Sequence, residues 1–149
     1  MVDESGVLEP FAFAIFCDDI RFEIGNKVTL VGIYSGDMFL QELPAFIPKL
    51  GVAVTLVTPL HKSPSSLTVR ISKGDDLALE FVVPVVPGAS PALSDEHDAP
   101  TRRSFIFQVP LPPMTIPAPC MLRVALVVDG VEMNAGKLRI GLNPAPPAP

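Results

Sequence analysis

Apolar and polar residues alternate with a period of two in segment after segment of this 149-residue chain. In residues 66–73, for example, Leu67, Val69 and Ile71 alternate with polar residues, which predicts a β-strand with one solvated face. A Gly-Asp turn separates this strand from residues 77–83, where apolar residues alternate again. The two segments therefore predict a β-hairpin, with Leu77, Leu79, Phe81 and Val83 pointing inwards.

The same pattern recurs along the rest of the chain. A second hairpin is predicted over 122–128 and 138–142 with its turn at Asp129-Gly130, and further strands are predicted over 11–17, 27–34, 50–57 and 105–109. Residues 41–48 contain two prolines and predict a loop that crosses between sheets. Seven or eight short strands without a helix indicate a two-sheet antiparallel sandwich with immunoglobulin-like Greek-key connections. A closed β-barrel is the alternative.

Composition supports one domain spanning residues 1–149. Its 48% hydrophobic residues are enough for a core, and 18 prolines disfavour long helices. The acidic start, about residues 1–9, predicts a disordered terminus, and residues 143–149 form a Pro-rich tail. Residues 84–103 predict a long Pro-, Ser- and acid-rich loop.

Charge and cysteine content restrict the partners and the compartment. The net charge of −5 has the wrong sign for a protein that neutralises nucleic-acid phosphates. The start shows no export signal, and no apolar run reaches the length of a membrane span. We therefore expect a cytoplasmic protein that binds neither nucleic acid nor membrane, with Cys17 and Cys120 as buried free thiols.

Several strands carry apolar residues at positions that should face outwards. We expect Phe11, Phe13 and Ile15 to face the core, which turns the residues between and after them towards solvent. If the apolar-backed strands share one sheet, that sheet exposes a patch typical of a protein interface, unless the long loop or the tail covers it. The candidate interface residues are Ala12, Ala14, Phe16, Val31, Ile33, Ala53, Val57, Ala125 and Val127.

Few residues are candidates for chemistry. Asp18 and Asp19 should point apart on a strand, which makes them a poor acid/base pair, and we expect them to cap a turn and pair with Arg21. The acidic group at Asp95, Glu96, His97 and Asp98 could hold a divalent cation, but it lacks the spacing of a calcium loop. His61 lies in a predicted turn and has no local triad partner, and no familiar nucleophile, phosphate-loop or dinucleotide motif is present. No cofactor is expected.

The N-terminal half resembles an uncharacterised family of small bacterial proteins, a domain of unknown function. The resemblance rests on an F-C-D-D-I-R-x-E-x-x-x-K-x-x-L-x-G-x-Y pattern, on Pro48-Lys49-Leu50, and on a P-x-x-L-R-V-x-L-x-V-D-G pattern over residues 119–130. It implies a bacterial, cytosolic β-protein and brings no activity. The polar part of the first pattern is Asp18, Asp19, Arg21, Glu23 and Lys27.

Three functions compete at this point. The sequence favours a non-enzymatic sandwich that binds another protein or itself, because apolar outward positions coincide with a lack of catalytic motifs. A small-ligand or divalent-cation module using the Asp18–Glu23 or the Asp95–Asp98 region is the alternative. An enzyme would have to bring Asp18 and Asp19 together with His61 or His97 in one pocket.

Overall fold

A computed structural model describes residues 9–85 and 102–144, which form β-strands and no helix. None of these residues therefore forms a helix that could cross a membrane. The strands are β1 (Phe11–Glu23), β2 (Lys27–Ile33), β3 (Asp37–Leu40), β4 (Ala45–Ile47), β5 (Leu50–Pro59), β6 (Leu67–Lys73), β7 (Asp76–Val82), β8 (Arg102–Leu111), β9 (Met114–Ile116), β10 (Cys120–Val128) and β11 (Val131–Leu142).

The strands form two main sheets. Sheet I has the order β2-β1-β5-β8, sheet II has the order β3-β11-β10-β6-β7, and β4 pairs with β9 in a small ribbon. All neighbours are antiparallel except β3 and β11. The chain leaves sheet I after β5, forms β6 and β7 in sheet II, and returns to sheet I as β8, which pairs with β5. In sheet II, β6 pairs with β10. This connectivity confirms the predicted Greek-key sandwich, and neither sheet closes into a barrel.

The core lies between the facing sheets and follows the predicted alternation. Leu67, Val69 and Ile71 of β6 are buried, and so are the residues at alternate positions of β10, whereas β5, which lies inside sheet I, is buried at every position except Thr55. Burying each such side chain contributes about 1.5–3 kcal/mol, which explains why these strands keep a strict register.

The predicted inward face of β1 is wrong. Phe16 is buried in the core and Ala12 and Ala14 pack against it, whereas Phe13 is 44% exposed on the other side. The reason is the close approach of β1 to β11, where a Cβ added to Gly136 would lie 3.3 Å from the Cβ of Ala14. Only a small side chain fits opposite Gly136, so Ala14 faces inwards at this point and its bulky neighbours Phe13 and Ile15 face outwards.

The face of β7 also changes within the strand. Leu79 is opposite Ile71, but the next pair is Leu77 opposite Ser72, which leaves Ala78 as an extra residue. This β-bulge moves Leu77 to the outer face, where its side chain is 58% exposed, contrary to its predicted inward position.

The remaining differences concern lengths and short strands. The structure adds β3, β4 and β9 to the eight predicted strands, and part of the predicted loop over 41–48 is the three-residue β4. A three-residue pairing next to prolines leaves too little alternation to be seen in the sequence. β1 extends six residues beyond its predicted end, and β8 begins at Arg102, inside the loop predicted over 84–103. Most of that loop, together with residues 1–8 and 145–149, lies outside the described residues.

Candidate functional site

The polar residues of the N-terminal pattern lie where β1 changes its partner. Residues 11–17 of β1 pair with β5, whereas residues 17–23 pair with β2. Cys17 takes part in both pairings, opposite Gly51 on one side and Ile33 on the other. The second half of β1 and its partner β2 therefore form a hairpin that extends beyond the first residue of β5.

Asp18, Gly32 and Tyr34 form one cluster at this junction. The Tyr34 hydroxyl donates a hydrogen bond to Oδ1 of Asp18, and the Tyr34 backbone N–H donates to the carbonyl of Phe16 at 2.9 Å. Gly32 has a positive φ of 69°, and a Cβ there would lie 2.8 Å from Cγ of Asp18. Glycine is therefore needed at position 32 to leave room for the carboxylate.

The environment of Tyr34 holds its hydroxyl in the neutral form. Burial raises the pKa of Tyr34, and the hydrogen bond to Asp18 and the charge of that carboxylate add to the effect, which brings the pKa to about 12. The hydroxyl is thus a hydrogen-bond donor at neutral pH and a poor candidate for a proton-transfer group.

The carboxylate of Asp19 points away from that of Asp18 and forms ion pairs with two basic side chains. Its Oδ1 lies 2.7 Å from Nζ of Lys49, and its Oδ2 lies 3.6 Å from Nε of Arg21. The hydrogen bond from Lys49 is the main reason why the pKa of Asp19 is below its ordinary value. The predicted pairing with Arg21 is confirmed for Asp19, whereas Asp18 is bound by Tyr34, and neither aspartate caps a turn, because both lie inside β1.

Cys17 and Ile20 both lie close to Gly51 at this junction. A Cβ on Gly51 would lie 2.7 Å from Cδ1 of Ile20 and 3.5 Å from Sγ of Cys17. The thiol is fully buried, donates weakly to the Gly51 carbonyl at 3.8 Å, and has its pKa raised mainly by burial. Cys17 and Cys120 are both free, as predicted, although Cys120 is only half-buried. A buried, protonated thiol is a packing residue and not a nucleophile.

Glu23 and Lys27 lie at the far end of the hairpin. They are opposite each other in the register, and Glu23 Oε1 accepts a hydrogen bond from the Thr29 hydroxyl at 3.2 Å. Both side chains are exposed. They support the hairpin and are remote from the junction residues.

In the described residues, the junction offers neither a cluster of metal-ligating side chains nor a large cavity. Within residues 9–85 and 102–144 no group of three His, Cys, Asp or Glu side chains could hold a metal ion. The cavity beside Asp18 and Asp19 is about 200 Å³, below the usual range of about 300–1,000 Å³ for ligand sites. Asp95, Glu96, His97 and Asp98 lie outside the described residues.

His61 is far from the two aspartates. The aspartates lie near Leu50, where β5 begins, whereas His61 follows Pro59, where β5 ends. Ten residues of extended chain separate the two ends by about 30 Å, and the exposed His61 cannot share a pocket with either carboxylate.

The outer face of sheet I differs in kind from the junction. Its central ten side chains contain no charge, and we call these residues the apolar face: Phe11, Phe13, Ile15, Ile33, Ala53, Thr55, Val57, Ser104, Ile106 and Gln108. Ile106 is 62% exposed and Ile33 is 59% exposed, whereas Ala53 and Val57 are buried. The charged residues of this outer face lie outside the central area, at Asp19, Arg21, Glu23, Lys27 and Arg102. On the outer face of sheet II, seven charged residues are spread across all five strands: Asp37, Arg70, Glu80, Arg123, Glu132, Lys137 and Arg139.

The candidate interface residues thus fall into separate groups. Ala12, Ala14 and Phe16 face the core and are wrongly placed in the predicted interface. Ala125 and Val127 lie half-buried on sheet II, away from the other strands. Val31, Ile33, Ala53 and Val57 lie on the outer side of sheet I, where Val31 and Ile33 are exposed and Ala53 and Val57 are buried.

Comparison with known proteins identifies the family to which the chain belongs. A model of a family of unknown function (DUF6941) matches residues 12–141, which is most of the chain. The chain belongs to this family. No curated protein matches the chain, and no solved structure matches it either. Residues 12–141 run from the second residue of β1 to the last but one of β11, so the match to DUF6941 includes all eleven strands of the described residues.

Two residues of the junction were missing from the polar set predicted from sequence. Lys49 and Tyr34 are the direct partners of the two aspartates, yet they lie 30 and 16 residues away from them. A local signal existed for Tyr34, because the Gly-x-Tyr spacing places Gly32 and Tyr34 on the same side of an extended chain. Nothing local could link Lys49 to Asp19, since that contact depends on the pairing of β1 with β5.

Proposed function

We propose that this DUF6941 protein is a non-catalytic bacterial β-sandwich of the cytoplasm whose role is protein binding, with a second copy of the chain as the partner of the apolar face. The observation that carries the proposal is the lack of charge over the central outer face of sheet I. The carboxylates of the junction, in contrast, are engaged by Tyr34, Lys49 and Arg21 and support a structural role. The free thiols of Cys17 and Cys120 fit a reducing compartment.

A second copy suits this face for electrostatic reasons. Each copy carries a net charge of −5, so association through a charged face would bring like charges together. The apolar face avoids this cost, and a two-fold symmetric contact places the same uncharged surface on both sides. Thr55, Ser104 and Gln108 provide hydrogen-bonding groups among the apolar side chains.

The area of the apolar face determines how strongly two copies should associate. Three strands, β1, β5 and β8, lie side by side over the six residue steps from Phe11 to Cys17, because β2 pairs with β1 only from Cys17 onwards. At about 4.8 Å per strand and about 3.3 Å per residue step, they give a footprint of about 14 Å by 20 Å. This is about 280 Å² on each copy, roughly a third of the area per partner in a standard interface. We therefore expect a weak dimer that dissociates on dilution.

The test uses a pair of matched substitutions on exposed edge strands. Ile106→Lys places a charge on the apolar face, and Val82→Lys places the same charge on β7 of sheet II, where Val82 is 72% exposed. In sedimentation velocity the wild type and Val82→Lys should show the same concentration-dependent dimer, and Ile106→Lys should remain a monomer. Phe13→Lys should behave as Ile106→Lys does. A dimer that survives both face substitutions would overturn the proposal, and a monomeric wild type at high concentration would do the same.

A further inference from the structure

Arg123 and Lys137 form a like-charge pair on the outer face of sheet II. They are directly opposite each other on β10 and β11, and both side chains are exposed. Like charges at directly opposite positions destabilise a sheet. The arrangement therefore carries an energetic cost that a single substitution would remove.

The other two arginines on the outer face of sheet II form ion pairs with carboxylates. Arg70 lies 2.6 Å from a carboxylate oxygen of Glu80 and 3.6 Å from one of Glu132. Arg139 lies 2.7 Å from Asp37. Between residues of the described ranges, no such ion pair includes Arg123 or Lys137.

The pair lies at an irregularity of the sheet. Val124 is opposite Gly136, but the next residue, Ala125, is opposite Asn134, so Ala135 is an extra residue in β11. Such bulges bend a strand, re-aim side chains and occur often beside functional sites. Here the bulge borders a cavity of about 410 Å³ that is lined by Arg123, Asn134, Ala135, Gly136 and Lys137.

These observations together indicate a ligand of opposite charge. We propose that Arg123 and Lys137, with the side-chain amide of Asn134, bind the phosphate group of a small molecule at the bulge of β11. Arginine can donate two parallel hydrogen bonds to phosphate oxygens, and lysine adds a compact positive charge. Asn134 supplies a further donor, and Ser72, opposite Arg123 on β6, supplies a hydroxyl next to the pair. The cavity exceeds the size of a phosphate ion, which leaves space for the molecule that carries the group.

The site is independent of the apolar face. It lies on the outer surface of sheet II, so a dimer formed through sheet I would leave it accessible on both copies. If the protein proves to be a monomer, the proposed phosphate site still stands. If it does not bind phosphate, the proposed dimer still stands.

The probes are inorganic phosphate and glycerol phosphate, each added to the full chain at constant ionic strength with chloride as the balancing ion, because screening alone changes surface electrostatics. NMR titration should shift the backbone amide signals of Arg123, Asn134 and Lys137, and the thermal midpoint should rise with phosphate concentration. Tighter binding of glycerol phosphate would identify an esterified phosphate as the ligand, and equal binding would identify the free ion. No shift with either probe would overturn the proposal.

Two variants and one control variant test which residues bind the phosphate. Arg123→Gln should weaken phosphate binding by about tenfold or more, since it removes the bidentate donor. Lys137→Glu should remove the response to phosphate and, because it creates an attractive pair opposite Arg123, should raise the thermal midpoint without phosphate. Lys62→Glu changes the net charge by the same amount in the turn after β5 and should keep the wild-type response. A normal phosphate response in Lys137→Glu would refute the site, and so would a lost response in Lys62→Glu.

Discussion

Replacing Gly32 by alanine should destabilise the protein through two separate effects. The first is the backbone, because Gly32 has a φ of 69°, a conformation that costs a residue with a Cβ about 1–2 kcal/mol. The second is the loss of space for Asp18, since the new Cβ would lie 2.8 Å from its Cγ. The carboxylate has to move away from the Tyr34 hydroxyl, and the hydrogen bond is lost.

The expected loss in the free energy of unfolding is the sum of these two effects. A hydrogen bond to a charged group is worth about 1.5–3 kcal/mol, and we take about 1.5 kcal/mol because Asp18 is exposed. With the backbone cost, Gly32→Ala should lower the free energy of unfolding by about 3 kcal/mol. Gly74 provides the matched control, because it has a similar φ of 60° but no atom within 4 Å of an added Cβ. Gly74→Ala should therefore cost only the backbone part, about 1–2 kcal/mol.

Urea unfolding of the two variants measures the difference directly. Gly32→Ala should be less stable than Gly74→Ala by about 1.5 kcal/mol. In a Tyr34→Phe background this gap should narrow, because the hydrogen bond is already absent. Equal costs of the two alanine substitutions in the wild-type background would refute the role assigned to the Asp18–Gly32–Tyr34 cluster.

Three further predictions concern titration and reactivity. The chain has one tyrosine and no tryptophan, so the absorbance change that accompanies phenolate formation reports Tyr34 alone and should titrate near 12 in the folded protein. Because this pKa lies above the ordinary tyrosine value of about 10, the raised pKa of Tyr34 stabilises the fold fully below about pH 10. This contribution should be lost as the pH rises to about 12, as a series of urea-unfolding experiments would show. Lys49→Met should raise the pKa of Asp19 towards its ordinary value in a carboxyl NMR titration, and an unchanged pKa would exclude the contact. A thiol reagent should label the half-buried Cys120 of the native protein before the fully buried Cys17, and the reverse order would contradict the packing of the junction.

The sequence predicted the sandwich because most strands have one buried face. The alternation in β6 and β10 determines both the strand positions and the inward residues, and the structure agrees with both. The rule failed for β1, which is apolar on both sides and gives periodicity no means of choosing the inner face. The choice depends on Gly136 of β11, a contact between residues more than one hundred positions apart.

The candidate site was only partly visible for the same reason. Opposite directions for Asp18 and Asp19 follow from strand geometry alone and are confirmed by their different partners. Lys49 as the partner of Asp19, and Ile106 as an exposed member of the apolar face, depend on which strands are neighbours in sheet I. Strand order is a tertiary property, so local patterns cannot supply it.

The molar mass of the wild-type protein in solution tests the central claim most directly. Light scattering across a dilution series should give a mass near twice the chain mass of 15.9 kDa at high concentration, falling to the chain mass on dilution. A mass that equals the single chain at every concentration would contradict self-association through the apolar face.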